Sequence, residues 1–366
     1  MKIGIGGASA IVIGSLLGVA MLTMAGWEAP PIDAEQVGYR GVGMEHLINP
    51  RTERRLLAAN QAPEPVWPLE PAAADAPRAG DVYENLQVLG DQPAEQHDRL
   101  MAAITEWIAP EEGCGYCHNL ENLAEDSLYT KIVARDMLRM TIHINSEWQD
   151  HVQDTGVTCY TCHRGQPVPA NQWFLAAPQQ RANMVGWNAG QNQPGIASAS
   201  LPIDPFTPFL LDDQPIRVIG ENALPPASGP EIGTKATEYT YSLMNHMSES
   251  LGVNCTYCHN SRSFIGWEGS PPARMSAWYG IRMVRDINAN YMHPLGPEYP
   301  VERLGPTGDG GKANCTTCHI GVNKPLYGAP MLPDYPSLGP AGGLWEGGGP
   351  QAMLMQPIED GVSDSN

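Results

Sequence analysis

CGYCH, residues 114–118, sets two cysteines two residues apart with a histidine directly behind the second. The pattern returns as CYTCH at 159–163, CTYCH at 255–259 and CTTCH at 315–319, and these motifs use all 8 cysteines of the 366-residue chain. CxxCH is the attachment motif of haem c. Two thiols add across the porphyrin vinyl groups, and the adjoining imidazole is brought beneath the iron as its proximal ligand. The motifs therefore assign Cys114, Cys117, Cys159, Cys162, Cys255, Cys258, Cys315 and Cys318 as covalent attachment points, with His118, His163, His259 and His319 as proximal ligands. Zinc sites and disulfides also use CxxC pairs, but neither calls for a histidine after each one. With 10 histidines in the chain, four such coincidences have odds of about one in a million. Four covalently bound haem c groups are expected. Their apolar faces would supply core to a chain whose 39 glycines and 34 prolines point to extensive irregular loop.

Around the motifs the sequence repeats at an offset of 143 residues. Leu100, Met101 and Glu106 match Leu243, Met244 and Glu249, while Leu138, Arg139, Met140, Ile144 and Asn145 match Ile281, Arg282, Met283, Ile287 and Asn288. Each unit reads as a helix, a turn and an attachment motif. Residues 97–109 carry Leu100, Met101, Ile104, Trp107 and Ile108 at helical spacing, and residues 130–149 do so with Ile132, Val133, Met137, Met140 and Ile144. Pro110 and Gly113 end the first helix before Cys114. The expected organisation is an N-terminal transmembrane anchor (1–27), a loop-rich segment (28–94), a first two-haem module (95–165), a connecting segment (166–232), a second two-haem module (233–325) and a flexible C-terminal tail (326–366). The fold class is mainly α with extensive irregular loops, a multihaem cytochrome c fold with internal two-fold pseudo-symmetry plus one N-terminal transmembrane helix.

A helix lying across the open face of a haem can present a sixth ligand, and methionine there raises the potential. Met101 and Met244 are equivalent in the repeat and stand 17 and 15 residues before their proximal histidines, so they are assigned to the first and third haems. The competing reading is a core methionine on an amphipathic helix. For the second and fourth haems the repeat favours Met140 and Met283, whereas Met137 has Gly280 as its equivalent. Residues three apart share a helix face, so spacing leaves both alternatives open.

The chain carries 21 Lys and Arg against 40 Asp and Glu, a net charge of −19. That balance disfavours nucleic acid and suits either a basic partner or a plain acidic surface. After Met1 and Lys2, residues 3–27 contain no charge and are long enough to cross a bilayer as a helix. Small residues around Ala25 would permit cleavage as a signal peptide, but a chain beginning at Met1 favours an uncleaved anchor. The positive-inside rule then puts the body after Trp27 on the outer side, a periplasm in a bacterium.

Four CxxCH motifs in two pairs, a methionine-bearing helix before each of the first three, and an external body anchored at its N-terminus resemble the tetrahaem cytochrome subunit of the photosynthetic reaction centres of purple bacteria. The resemblance spans about residues 95–325 and lies in the spacings. It implies Met137 as sixth ligand of the second haem, 26 residues before His163, and His151 as that of the fourth, paired across the halves with His319. Three Met/His haems and one bis-histidine haem follow. Many family members carry a lipid-modified cysteine after the signal peptide; this chain has none, which fits an uncleaved helix.

The resemblance further implies an electron carrier rather than an enzyme. Such a protein takes electrons from a soluble cytochrome c or a high-potential iron–sulfur protein and re-reduces the photo-oxidised bacteriochlorophyll pair. In the family the third haem, here His259 and Met244, lies nearest that pair. Partners would be the L- and M-type core subunits and the surrounding light-harvesting ring, at the periplasmic face of the photosynthetic membrane. Two other classes remain from the residues alone. A membrane-anchored tetrahaem quinol dehydrogenase would be shorter and bis-histidine ligated, against the repeated Met101 and Met244. A multihaem enzyme would need one open iron, and Gly280 is the position that could supply it.

Overall fold

A computed structural model of the chain describes residues 5–25, 33–36, 45–176, 201–216 and 233–340. In chain order the helices are α1 (Ile5–Ala25), α2 (Pro50–Ala59), α3 (Ala79–Val82), α4 (Ala94–Ile108), α5 (Tyr129–Glu147), α6 (Gln149–Val152), α7 (Cys159–His163), α8 (Thr234–Leu251), α9 (Ala273–Ile287) and α10 (Cys315–His319). Two short antiparallel pairs join them, β1 (Asp33–Gln36) with β2 (Glu45–Ile48) and β3 (Gln172–Trp173) with β4 (Lys312–Ala313). Among the described residues no helix is long and apolar enough to cross a membrane. The anchor expected over residues 1–27 is therefore not found among them; of α1 the side chains are described from Val12 to Thr23.

The helices follow their apolar spacing. Along α4, Leu100, Ala103 and Trp107 are buried, and each large side chain withdrawn from water contributes about 1.5–3 kcal/mol. The helix stops at Ile108, just before Pro110, and Gly113 takes φ +67 to turn into the first motif. The motifs themselves fall into two kinds. CYTCH and CTTCH form the short helices α7 and α10, each closed by a capping box: Thr161 Oγ1 accepts the Thr158 N–H and Thr317 Oγ1 accepts the Asn314 N–H. CGYCH and CTYCH have tyrosine at that place, Tyr116 and Tyr257, and form 3-10 turns at Gly113–Tyr116 and Cys255–Tyr257. After α7 and α10 the chain turns through left-handed Arg164–Gly165 and Ile320–Gly321. Gly165 N–H then bonds the Trp107 carbonyl at 2.8 Å and Gly321 N–H the Ser250 carbonyl at 2.8 Å. These equivalent bonds tie α7 to α4 and α10 to α8.

Two apolar clusters result. One gathers Ile144 of α5, Leu243 of α8 and Ile281, Met283, Val284 and Ile287 of α9 around Trp173, Phe209, Leu210 and Ala313. The other joins Leu100, Ala103, Trp107 and Cys159 to Leu326, Met331, Leu332, Tyr335 and Leu338. Here the structure differs from the expected boundaries. Leu326, Met331, Leu332, Tyr335 and Leu338, from the expected tail, are buried against Leu100, Ala103 and Trp107; the rest of the expected tail, 341–366, lies outside the described residues. Likewise Trp173, Phe209 and Leu210, from the segment expected to be a mere connection, are buried members of the other cluster.

The halves meet along α5 and α9. His143 Nε2 is 2.6 Å from Asp286 Oδ2, and these two residues are themselves 143 positions apart. Trp148 Nε1–H donates to the same oxygen at 2.8 Å and Asn290 to the other at 2.5 Å. Burial works against the Asp286 carboxylate, but these donors outweigh it and hold its pKa below the ordinary value.

Candidate functional site

Each motif histidine is oriented by one bond to a backbone carbonyl. Nδ1 of His118 lies 3.1 Å from Leu123 O, that of His163 2.9 Å from Gln166 O, that of His259 2.9 Å from Phe264 O, and that of His319 3.0 Å from Val322 O. A carbonyl can only accept, so Nδ1 carries the proton and Nε2 is left with its lone pair, the tautomer a metal requires. Burial favours the neutral ring: it lowers the pKa of His163, lowers that of His259 with help from Arg274, and takes that of His319 down to about 4. The acceptor is five residues on at the two 3-10 motifs and three residues on at α7 and α10, so the motifs alternate in kind along the chain.

The thiols differ in the same way. Cys114 and Cys255 are exposed, while Cys159 and Cys315 are buried and their pKa values are pushed up to about 12 by desolvation. Among the described residues no group of three or more His, Cys, Asp or Glu converges as a metal cluster would. The second and fourth motifs nevertheless meet, with Cys162 Sγ and Cys318 Sγ 2.8 Å apart. Arg164 bridges them, its guanidinium donating to the Thr161 and Cys318 carbonyls at 3.1 Å each and to Asn60 Oδ1 at 3.3 Å.

The expected sixth ligands are distributed as follows. Met101 lies half-buried on α4, one turn after His97, whose ring is in electrostatic reach of His118. Met244 lies half-buried on α8, against the core that α9 lines. On α5, Met140 packs on that same core, and on α9 Met283 is part of it at 6% exposure; Met137 is half-buried and belongs to neither apolar cluster. His151, on α6, is carried across to the second half. Its Nδ1 lies 2.8 Å from Ser276 O on α9, which again leaves Nε2 free, and its ring centroid is 6.1 Å from that of His319. Two imidazoles on one metal ion, each with a bond of about 2 Å, would have centroids about 6 Å apart. Gly280 makes room for this: a Cβ there would meet His151 Cε1 at 2.5 Å and Nδ1 at 2.9 Å. The residues thus fit the porphyrin the motifs require. His97, 7% exposed, has its Nδ1 3.6 Å from Asp98 Oδ1 and its ring centroid 5.1 Å from that of Tyr83.

Several of these roles had no signal in the sequence, because the acceptors Leu123, Gln166, Phe264 and Val322 act through their backbones. The His143–Asp286 contact did have one, since the repeat offset itself pairs the two positions.

Cysteine pairs abutting histidines with a free Nε2, set between amphipathic helices, define a c-type cytochrome, and such proteins bind haem c covalently. The family model described as "Photosynthetic reaction centre cytochrome C subunit" matches residues 28–339. The chain is 53% identical over 327 residues to the photosynthetic reaction center cytochrome c subunit of Rubrivivax gelatinosus, covering 88% of this chain and 87% of that one. It is 46% identical over 332 residues to the subunit of that name in Thermochromatium tepidum (90% and 81% covered) and 41% over 353 residues to that of Roseobacter denitrificans (90% and 92%). The chain belongs to the family of photosynthetic reaction centre cytochrome c subunits. It is an electron-transfer subunit and not an enzyme, it associates with reaction-centre core subunits, and it works on the periplasmic side of the photosynthetic membrane.

Proposed function

We propose that this protein is a tetrahaem relay which takes electrons from a soluble periplasmic carrier, a cytochrome c or a high-potential iron–sulfur protein, and re-reduces the photo-oxidised bacteriochlorophyll pair held by the L- and M-type subunits. The observation that carries a relay between the halves is the 2.8 Å approach of Cys162 Sγ and Cys318 Sγ, which brings the attachment points of two motifs together. Haem c, when bound, supplies the one-electron chemistry. The chain's own residues hold, orient and insulate it.

His118 and Met101, His163 and Met137, His259 and Met244, and His319 and His151 are the proposed axial pairs. The free Nε2 atoms and the cradle of Gly280 around His151 support this set. Repeated bonds in the two halves, such as Gly165 to Trp107 and Gly321 to Ser250, support modules at 95–165 and 233–325 related by a pseudo-two-fold. Residues 1–27 are proposed as a membrane anchor. In support, residues 3–27 of the sequence carry no charge. The light-harvesting ring is a proposed further neighbour.

Flash excitation of membranes containing the protein tests the reading. Haem oxidation at the pace of chlorophyll re-reduction is expected; a haem signal indifferent to light would overturn it.

A further inference from the structure

Two buried asparagines do the same thing at equivalent places. Asn145, near the end of α5, is 2% exposed, and Asn288, directly after α9, is 0% exposed. Asn145 Oδ1 accepts the Val157 N–H at 2.8 Å while its Nδ2 donates to the Val157 carbonyl at 2.9 Å. Asn288 makes the same two bonds with Ala313, at 2.8 and 2.9 Å. Each side-chain amide thereby pairs with a backbone residue as a second strand would. The remaining Nδ2 hydrogen is used as well, by Leu338 O at 2.7 Å for Asn145 and by Leu210 O at 2.8 Å for Asn288.

The clamped residues are not arbitrary. Val157 and Ala313 each stand two positions before the first cysteine of a motif, Cys159 and Cys315. The clamping helices are those on the far side of the same two sites: α5 carries Met137, and α9 backs His151 through Gly280 and the Ser276 carbonyl. Each asparagine thus joins the element behind the distal ligand to the segment that delivers the proximal histidine. An iron–ligand set tolerates only a few tenths of an ångström of slack, and a buried, fully bonded amide is a stiff way to remove it.

From this geometry we infer that Asn145 and Asn288 are positioning residues for the second and fourth haems, each fixing the span between the proximal and distal sides of its own site. The inference rests on the axial pairs proposed above. Neither residue touches an iron; each acts through the elements it joins.

The test uses the assembled complex in membranes and follows each haem separately, by redox titration, carbon monoxide binding and the red charge-transfer band of methionine-ligated ferric haem. Asn145→Leu should weaken the methionine signature of the second haem, admit carbon monoxide there and lower its potential, with the other three as internal controls. A tenfold change in its reduced-to-oxidised ratio at fixed ambient potential, equal to 59 mV for one electron, is the expected scale. Asn288→Leu should disturb the fourth haem alone. Asn145→Asp and Asn288→Asp keep the shape but lose both donors, and the same selectivity is expected. Lowered stability with all four haems unchanged, or an equal shift in all four, would overturn the proposal.

Met137→Ala separates this inference from the ligand set beneath it. If that change spares the second haem's methionine signature, the axial pair fails. If it removes the signature while Asn145→Leu and Asn145→Asp leave it intact, the clamp fails. Should no asparagine variant accumulate, hydrogen exchange in the wild-type complex decides: protected Val157 and Ala313 amides support the clamp, and rapid exchange refutes it.

Discussion

Helices α5 and α9 hold equivalent stations in the two halves and end in the same asparagine clamp, yet one carries Met137 where the other carries Gly280. Around that exchange everything else adjusts. Met283, the methionine that follows on the same helix, lies within the core at 6% exposure and is not free to replace the missing side chain. His151 enters from the first half instead, and its ring occupies the space that a side chain at 280 would fill. On the proposed axial pairs, the comparison teaches that a repeated stretch of sequence keeps the residues that set spacing, while the side chain offered to the fourth haem comes from elsewhere in the chain.

The comparison breaks most severely at Gly280. Gly280→Ala would press a methyl group against His151, an overpacking cost of about 1–3 kcal/mol, and should displace the ring from His319. Thermal unfolding and magnetic spectra would register both effects; an unchanged low-spin bis-histidine signal would show that His151 is not held there. A gentler change sharpens the same contrast. His151→Met should give the fourth haem the ligand type of the other three and raise its potential alone, within the roughly 0.8 V range that axial ligands span. A redox titration with no shift at that haem would refute the cross-half ligand.

The smallest expected effect lies at the seam. Asp286→Asn keeps the shape but weakens the bonds from His143 and Trp148, and should cost about 1 kcal/mol. Because the Asp286 pKa is held below its ordinary value of 3.8, its contribution is present above that pH and fades as the pH falls through the lower folded value. Acid unfolding followed in both proteins should therefore differ near neutrality and converge at the acid end; parallel curves would mean the seam does not depend on this carboxylate.

Much of this was legible from residues alone, and for definite reasons. CxxCH is a covalent requirement, so its four copies survive any uncertainty about the fold. The helical spacing of Leu100, Ile104 and Trp107 sets α4 because one face must be buried. The repeat offset brought Asn145 and Asn288, and Met101 and Met244, into correspondence before any coordinates. Other features were hidden. Residues 326–338 read as Pro- and Gly-rich tail because Leu326, Leu332 and Leu338 sit in short 3-10 turns, with Tyr335 between two of them and no sustained period, yet all four are buried. Spacing could not choose between Met137 and Met140, since the choice depends on which face of α5 the neighbouring core claims.

The passage of His151 into the second half has a developmental side. A duplicated module begins as two interchangeable copies, either of which could be lost or lent elsewhere. Once one copy borrows a side chain from its twin, neither can depart without ruining the other, and the pair becomes a single heritable unit. On the proposed ligand set, Gly280 marks the place in this chain where that independence ended.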